Sequence, residues 1–261
     1  MDPILIQSIL PFFFSAIIVI IITVIAEKFG TKIGGIFGTL PSTIVVAFIF
    51  ISLNKGVDFA AESVAVVPAE LGVNLVFLFL FAILVKYSAV IAFVGSLATW
   101  TVLSSFLYVF HVTDIVISLA IYVILLLFTF ISLEYWIKVP SLGKVHVHYT
   151  PQKIIFRGIL AGIIITISVL LSNVGEVISG IFSVFPAILT STMIIFIREH
   201  SPEFAAGIGK SMVIGISSVC TYATVIHFLY PVHGIITGSI VAYAISLIVT
   251  LVVFVLREKI K

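Results

Sequence analysis

Two stretches of this chain carry glycine, hydroxyl side chains and a proline in one order: Gly34-Gly35-Ile36-Phe37-Gly38-Thr39-Leu40-Pro41-Ser42-Thr43 and Ser179-Gly180-Ile181-Phe182-Ser183-Val184-Phe185-Pro186. Proline has no N–H, so inside a helix it leaves a carbonyl one turn earlier without its donor. Within a bilayer such a carbonyl persists only where protein or a water-filled cavity meets it. The hydroxyls of Thr39, Ser42, Thr43, Ser183, Thr190 and Ser191 would stand nearby, a set able to hold the polar end of a small solute. Gly35, Thr39, Pro41, Ser42, Gly180, Ser183, Pro186 and Thr190 are therefore the candidate substrate-binding residues. The same residues also admit an architectural reading, in which glycines let helices approach closely and proline bends one of them.

Ionisable groups in apolar surroundings form a second set. Glu70 lies about 24 Å along a helix from Lys86, with Asn74 one turn further in on the same face. A carboxyl at membrane depth is expensive and is a functional candidate by default, here for proton or cation coupling. Against that, Pro68 could start the helix late and leave Glu70 at the interface as a first-turn acid. Asp58 and Glu203 match each other in sequence and read as helix-start acids. Glu134 stands four residues before Lys138, the favourable order for a helical ion pair. His146 and His148 supply only half a metal site, so no metal is expected, and His111, His227 and His233 show no convergence in sequence. Gly207, Ser211 and Gly215 form a small-residue stripe suited to helix contact. No zincin helix, phosphate-binding loop, nucleophile elbow or paired intramembrane aspartates occur, so neither enzyme activity nor a cofactor is expected. Nor is there a basic surface for nucleic acid.

The elements that must position these groups follow from composition. The 261 residues are 62% hydrophobic and 9% charged, with a net charge of +2 and mean hydropathy +1.38. That is too little charge for a water-facing surface. Apolar runs long enough to cross the hydrocarbon recur along the chain, which predicts an all-α, polytopic membrane protein. The spans read as 3–26, 33–53, 69–86, 89–110, 115–137, 154–172, 177–197, 210–229 and 234–256, with longer connections at 54–68 and 138–153. Ser201-Pro202-Glu203 reads as a helix start, Ser201 being the cap. Cys220 is the single cysteine, which excludes an internal disulfide framework. Met1-Asp2-Pro3 has no basic run before the first apolar segment, so no cleaved signal peptide is expected. With nine spans, alternate loops place Lys55 alone on one side and the other basic residues on the opposite side. Basic residues are retained in the cytoplasm, which predicts a multi-pass plasma-membrane protein with its N-terminus outside and its C-terminus inside.

A shift of 145 residues aligns the chain with itself. Gly30, Ile33, Gly35, Ile36, Phe37 and Pro41 fall on Gly175, Ile178, Gly180, Ile181, Phe182 and Pro186, and Asp58-Phe59-Ala60-Ala61 falls on Glu203-Phe204-Ala205-Ala206. Paired Gly and Pro in one frame, followed by an acid-Phe-Ala-Ala match, mark an internal repeat. The chain divides into a first four-helix repeat (1–112), a connecting helix and loop (113–145) and a second four-helix repeat (146–261). One intervening span makes the second repeat enter from the opposite side, so the repeats are inverted, and each carries its basic loop residues where that orientation requires.

The stretches Gly35-Ile36-Phe37 through Pro41, Asn54-Lys55-Gly56-Val57-Asp58 and Ala92-Phe93-Val94-Gly95-Ser96-Leu97-Ala98-Thr99-Trp100 resemble the GlpM-type small membrane proteins. Those are four-helix chains about one repeat long. The resemblance covers most of the first repeat and, more faintly, the second, where Gly180 and Pro186 are kept but the Trp100 motif is not. It implies a tandem fusion of two such units and adds no chemistry.

Interrupted segments at matching places in two inverted halves point to a transporter's central site. The leading expectation is a small secondary transporter or lipid-type translocator, with its site between the second and seventh spans. The alternative is a non-transporting scaffold or accessory subunit of an envelope-building system, in which the two segments would meet in a dry, apolar contact. A channel is less favoured, because no ring of like charge lines a span. The expected partners are the lipid bilayer and an unidentified small solute or lipid; a homodimer is compatible with this plan.

Overall fold

The computed structural model describes residues 4–28, 40–140 and 150–260. These are almost entirely helical. A π-helical turn at Leu5–Ile9 leads into α1 (Leu10–Lys28), followed by α2 (Ser42–Lys55), α3 (Val57–Ala65), α4 (Val67–Leu84), α5 (Ala89–Val109) and α6 (Ile115–Ile131). Then come α7 (Pro151–Leu171), α8 (Glu176–Ser183), α9 (Ala187–Glu199) and α10 (Pro202–Ile260). Among the described residues seven helical stretches are long and apolar enough to cross a membrane, and Ser42–Lys55 is a shorter apolar helix. The longest, α10, has 59 residues, about 90 Å if straight, far more than one crossing needs. It is divided at Gly234, whose φ of 72° is left-handed and non-helical. The chain is therefore an all-α protein with the helices of a polytopic membrane protein.

Burial sorts the helices into centre and rim. Of an 18-residue apolar run within Val57–Leu84, 78% is buried, against 28% of the corresponding runs within Ala89–Val109 and Ile115–Trp136. The rim helices turn Val90, Val109, Phe110, Val116, Ile236 and Ile240 outward, each more than half exposed. Large exposed apolar side chains on this scale suit hydrocarbon rather than water.

Neighbour contacts set the directions. A Cβ on Gly158 would meet Ile20 and the Ala16 carbonyl, one on Gly162 would meet Phe12, and Thr166 donates to the Ser8 carbonyl. As the number rises along α7 it falls along α1, so the two helices lie antiparallel. The spacing Gly158-x-x-x-Gly162 is what lets them approach so closely. The same logic orients α3 and α4 against α10: His227 Nδ1 donates to the Ala61 carbonyl at 2.7 Å, and Gly209 lies by Leu78.

At one end of the bundle Gln7 Nε2 donates to Asn54 Oδ1 (2.8 Å), Asn54 Nδ2 to Ser172 Oγ (2.8 Å) and Asn173 Nδ2 to Gln7 Oε1 (3.2 Å). His111 pairs with Glu176 at 3.1 Å. Elsewhere Lys153 pairs with Glu199, and Lys210 pairs with Glu134 at 2.9 Å.

Several expectations change. The connection expected at 54–68 is mostly helix: Gly56, at φ 95°, makes a sharp turn, and α3 starts at once. Glu134 does not pair with Lys138. It lies in a π-helical turn (Ser132–Trp136), Lys138 has a left-handed φ of 54°, and Lys210 takes the carboxylate instead. A wider helical turn changes which side chains share a face, so the four-residue spacing no longer brings the two together. Ser201 does cap α10, accepting from the Phe204 N–H at 3.1 Å. His146 and His148 lie outside the described residues, and no cluster able to hold a metal occurs among those described.

Candidate functional site

The two prolines do more than bend a helix. Pro186 has φ −74° and ψ 40°, and the Ala187 N–H reaches back to the Phe185 carbonyl at 2.7 Å. Pro41 has φ −77° and ψ 51°, and the Ser42 N–H reaches the Leu40 carbonyl at 2.8 Å. Both are inverse γ-turns centred on proline, whose ring presets φ while ψ swings out of the helical range. Each turn opens a new helix on the next residue, α2 at Ser42 and α9 at Ala187. The Val45 N–H then donates to Pro41 O, and the Thr190 N–H to Pro186 O. Upstream of Pro186, α8 ends at Ser183, whose hydroxyl donates to the Gly180 carbonyl at 2.6 Å. The expected kink is thus a complete break across 184–186, deep among other helices.

The break opens onto a cavity of about 120 Å³. Leu40, Pro41 and Thr43 line it from α2 and its turn, Ser183 to Leu189 from the second break, and Leu71 and Asn74 from α4. Ala161, Ile164 and Ile165 of α7 and Met212, Gly215, Ile216 and Val219 of α10 close it. Asn74, 3% exposed, donates Nδ2 to the Val184 carbonyl at 2.7 Å, while its Oδ1 has no partner among the described residues. The amide therefore satisfies a carbonyl that the helix break leaves over, while its own oxygen is buried without a donor among the described residues.

Residues 8–126 match the family described as a protein of unknown function (DUF3147). No curated protein and no solved structure matches the chain. The matched segment runs from the π-helical turn before α1 into α6, so it takes in α2 and the Pro41 turn but not the break at Pro186.

Of the expected binding residues, Pro41, Ser183 and Pro186 line the cavity. Gly35 and Thr39 lie outside the described residues. Ser42 and Thr190 sit in the first turns of α2 and α9 but are not part of the lining, and Thr190 Oγ1 is buried without a partner among the described residues. Gly180 has a packing role: an added Cβ would come within 2.0 Å of the Ser63 carbonyl and 2.6 Å of Val66. Next to it, Ser168 and Ser179 each donate to the other's carbonyl at 2.9 Å, fastening α7 to α8.

Glu70 is a first-turn acid of α4, as Pro68 suggested, but it is completely buried near the middle of the 28-residue stretch Val57–Leu84 rather than exposed at a helix end. Pro68 is tolerated because the chain makes a turn at Val66 and Pro68 occupies the opening turn of α4, where the N–H is not needed. Ser104 of α5 donates to Glu70 Oε1 at 2.8 Å, and Oε2 has no partner among the described residues. The Trp100 ring, one turn before Ser104 on α5, meets Phe185 edge-on with centroids 4.9 Å apart. Glu70 and Asn74 thus both connect to the second break, one through the Ser104 and Trp100 face of α5 and the other directly.

Sequence reading missed three features of this region. Arg157, half-buried, donates Nη1 to Thr192 Oγ1 at 2.7 Å, one turn from the lining residues Ala161 and Ile188. Its signal was a guanidinium six residues into an apolar helix. Gly158 and Gly162 carried a visible four-residue spacing. The Trp100–Phe185 contact joins residues that no spacing relates.

Proposed function

We propose that the chain is a small secondary transporter or translocator whose solute site is the cavity between the two proline turns. The observation that carries this reading is the cavity itself, lined by Asn74 and by residues from the first turns of α2 and α9. A scaffold would have joined these segments through direct contact, so a cavity between them, apolar over most of its wall but with Thr43, Asn74 and Ser183 on it, favours transport.

Two inverted units, 1–112 and 146–261, joined by 113–145, account for the arrangement. Under the 145-residue shift Pro41 falls on Pro186, the start of α3 on the start of α10, and Ala89 on Gly234, where α10 breaks. Equivalent helices lie antiparallel in both observed pairs, α1 with α7 and α3–α4 with the first arm of α10, as inversion requires. Leu71 and its equivalent Ile216 both line the cavity, so a pseudo-two-fold axis would pass through it. Alternating access would exchange the halves about that axis. Glu70, buried beside the second break, is the candidate for ion coupling. The basic-residue bias supports an outer N-terminus and a cytoplasmic C-terminus in a plasma membrane.

The test is solute flux into proteoliposomes against a broad panel. Pro41→Ala and Pro186→Ala should each lower any measured flux at least about tenfold, because helix continuity removes the preorganised turn. Undiminished flux in both variants would rule out this site.

A further inference from the structure

Deepening the transporter reading, and resting on it for physiological meaning, we propose that Glu70 binds and releases a single proton, and no metal cation, as the ion coupled to movement of the two halves.

Glu70 is completely buried, with α5 laid over its carboxyl. Ser104 of α5 donates to Oε1 at 2.8 Å. The Trp100 indole N–H, one turn earlier on α5, interacts with the same carboxyl without closing a regular hydrogen bond. Oε2 is buried with no partner among the described residues. The helices packed on α4 bring it no charge. Neither α5 nor α6 has an Asp, Glu, Lys, Arg or His, and the Tyr122 hydroxyl of α6 bonds Ser217. Asp58 and Glu62 of α3 are exposed, and Glu176 of α8 is held by His111. On α10, Lys210 is held by Glu134 and His227 by the Ala61 carbonyl, while Glu203 and His233 are exposed. A carboxylate sealed here without a counter-ion would be very costly, whereas a carboxylic acid carries no charge.

The same neighbours select the ion. A metal cation needs a cage of several oxygen ligands. Ser104 turns its hydrogen on the carboxyl, and an indole N–H has no lone pair to give. Helix α5 runs unbroken past the site, so its carbonyls stay engaged within the helix. No group of three His, Cys, Asp or Glu side chains able to hold a metal occurs among the described residues. A proton needs neither cage nor cavity, because it adds directly to a lone pair of Oε2.

The cluster exists once. The 145-residue shift carries Glu70 onto Gly215, Trp100 onto Ile245 and Ser104 onto Val249, so one proton is bound per chain. It connects to the solute cavity by two routes. Leu71, the next residue, lines that cavity, and Trp100 lies edge-on to Phe185, which also lines it. The rim helix α5 supplies both donors and is the cover that parts from α4 when the proton leaves.

In purified Trp136→Phe protein Trp100 is the remaining indole, and its emission should titrate with pH as one group. Glu70→Gln should abolish that titration, and exchange of sodium or potassium chloride for choline chloride should not move it. On the unsubstituted protein, a membrane-permeant carbodiimide, which reacts with protonated carboxyls, should label Glu70, and sodium should give no protection. Mass spectrometry reads that labelling, which keeps the test valid if Glu70→Gln misfolds. The proposal is overturned if Trp100 does not titrate, if Glu70→Gln still titrates, or if sodium or potassium shifts the titration or blocks labelling. A titrating Glu70 in a protein that moves no solute upholds the proton site and overturns the transporter reading on which its coupling rests. Solute flux that is equal with and without a pH gradient, or undiminished in Glu70→Gln, overturns the coupling while leaving the transporter reading in place.

Discussion

Gly180 and Gly209 look alike in the sequence, yet their surroundings assign them opposite tolerances. A methyl group on Gly180 collides with the backbone carbonyl of Ser63, which cannot step aside without moving α3. On Gly209 the nearest atoms are Leu78 and Met193 side chains at 3.6 Å and beyond, an ordinary contact. Gly180→Ala should therefore cost roughly 1–3 kcal/mol or more through overpacking. Gly209→Ala should be neutral or gain up to about 1 kcal/mol of helix propensity. Thermal unfolding of the two purified variants in one detergent checks this, and equal melting points would contradict the close α8–α3 contact. Asn74 likewise owes its role to a neighbour: in sequence it is one amide in an apolar helix, and only the carbonyl of Val184 makes it the keystone of the break.

At the scale of elements, α1 and α7 meet the C-terminal ends of α2 and α9 through two different fastenings. Gln7 of the π-helical turn holds Asn54 at the end of α2, and Lys153 of α7 holds Glu199 at the end of α9. The 145-residue shift carries Asn54 onto Glu199 and Gln7 onto Gln152, one residue before Lys153, so the two fastenings occupy neighbouring places in the two halves. Under alternating access one of them must open while the other stays shut. Single cysteines at Thr43 and Ile188, with Cys220 replaced, would report access to the cavity from each side. Glu199→Gln should raise labelling from the Lys153 side up to about fivefold, the scale of a partly exposed ion pair. Asn54→Ala should raise it from the opposite side. Labelling that rises from the same side in both variants would contradict the two-gate arrangement. The repeat in the sequence located these corresponding positions; that one fastening is built from amides and the other from an ion pair emerged from the structure.

At the scale of the whole molecule, inversion predicts where reporters face. Gln7, Asn54, Ser172 and Asn173 are linked by hydrogen bonds, so tags in the loops after α2 and after α7 should report one compartment. Tags beside Lys86 and Glu199 should report the other. Accessibility of single cysteines to an impermeant reagent measures this directly, and Asn54 and Asn173 appearing on opposite sides would dismantle the inverted arrangement.

The all-helical membrane class was legible from the sequence alone, because a chain so poor in charge has no water-stable alternative. So were the two proline positions and their 145-residue relation, since glycine and proline limit the backbone wherever they stand. The burial of Glu70, the Glu134–Lys210 pair and the unmet oxygen of Asn74 needed tertiary structure. Each depends on which distant helix arrives beside it, and in a nearly uniform apolar sequence many helix faces are equally ready to be neighbours. Local backbone rules therefore disclosed where the helices break, and only the close fit between helices decided what those breaks enclose.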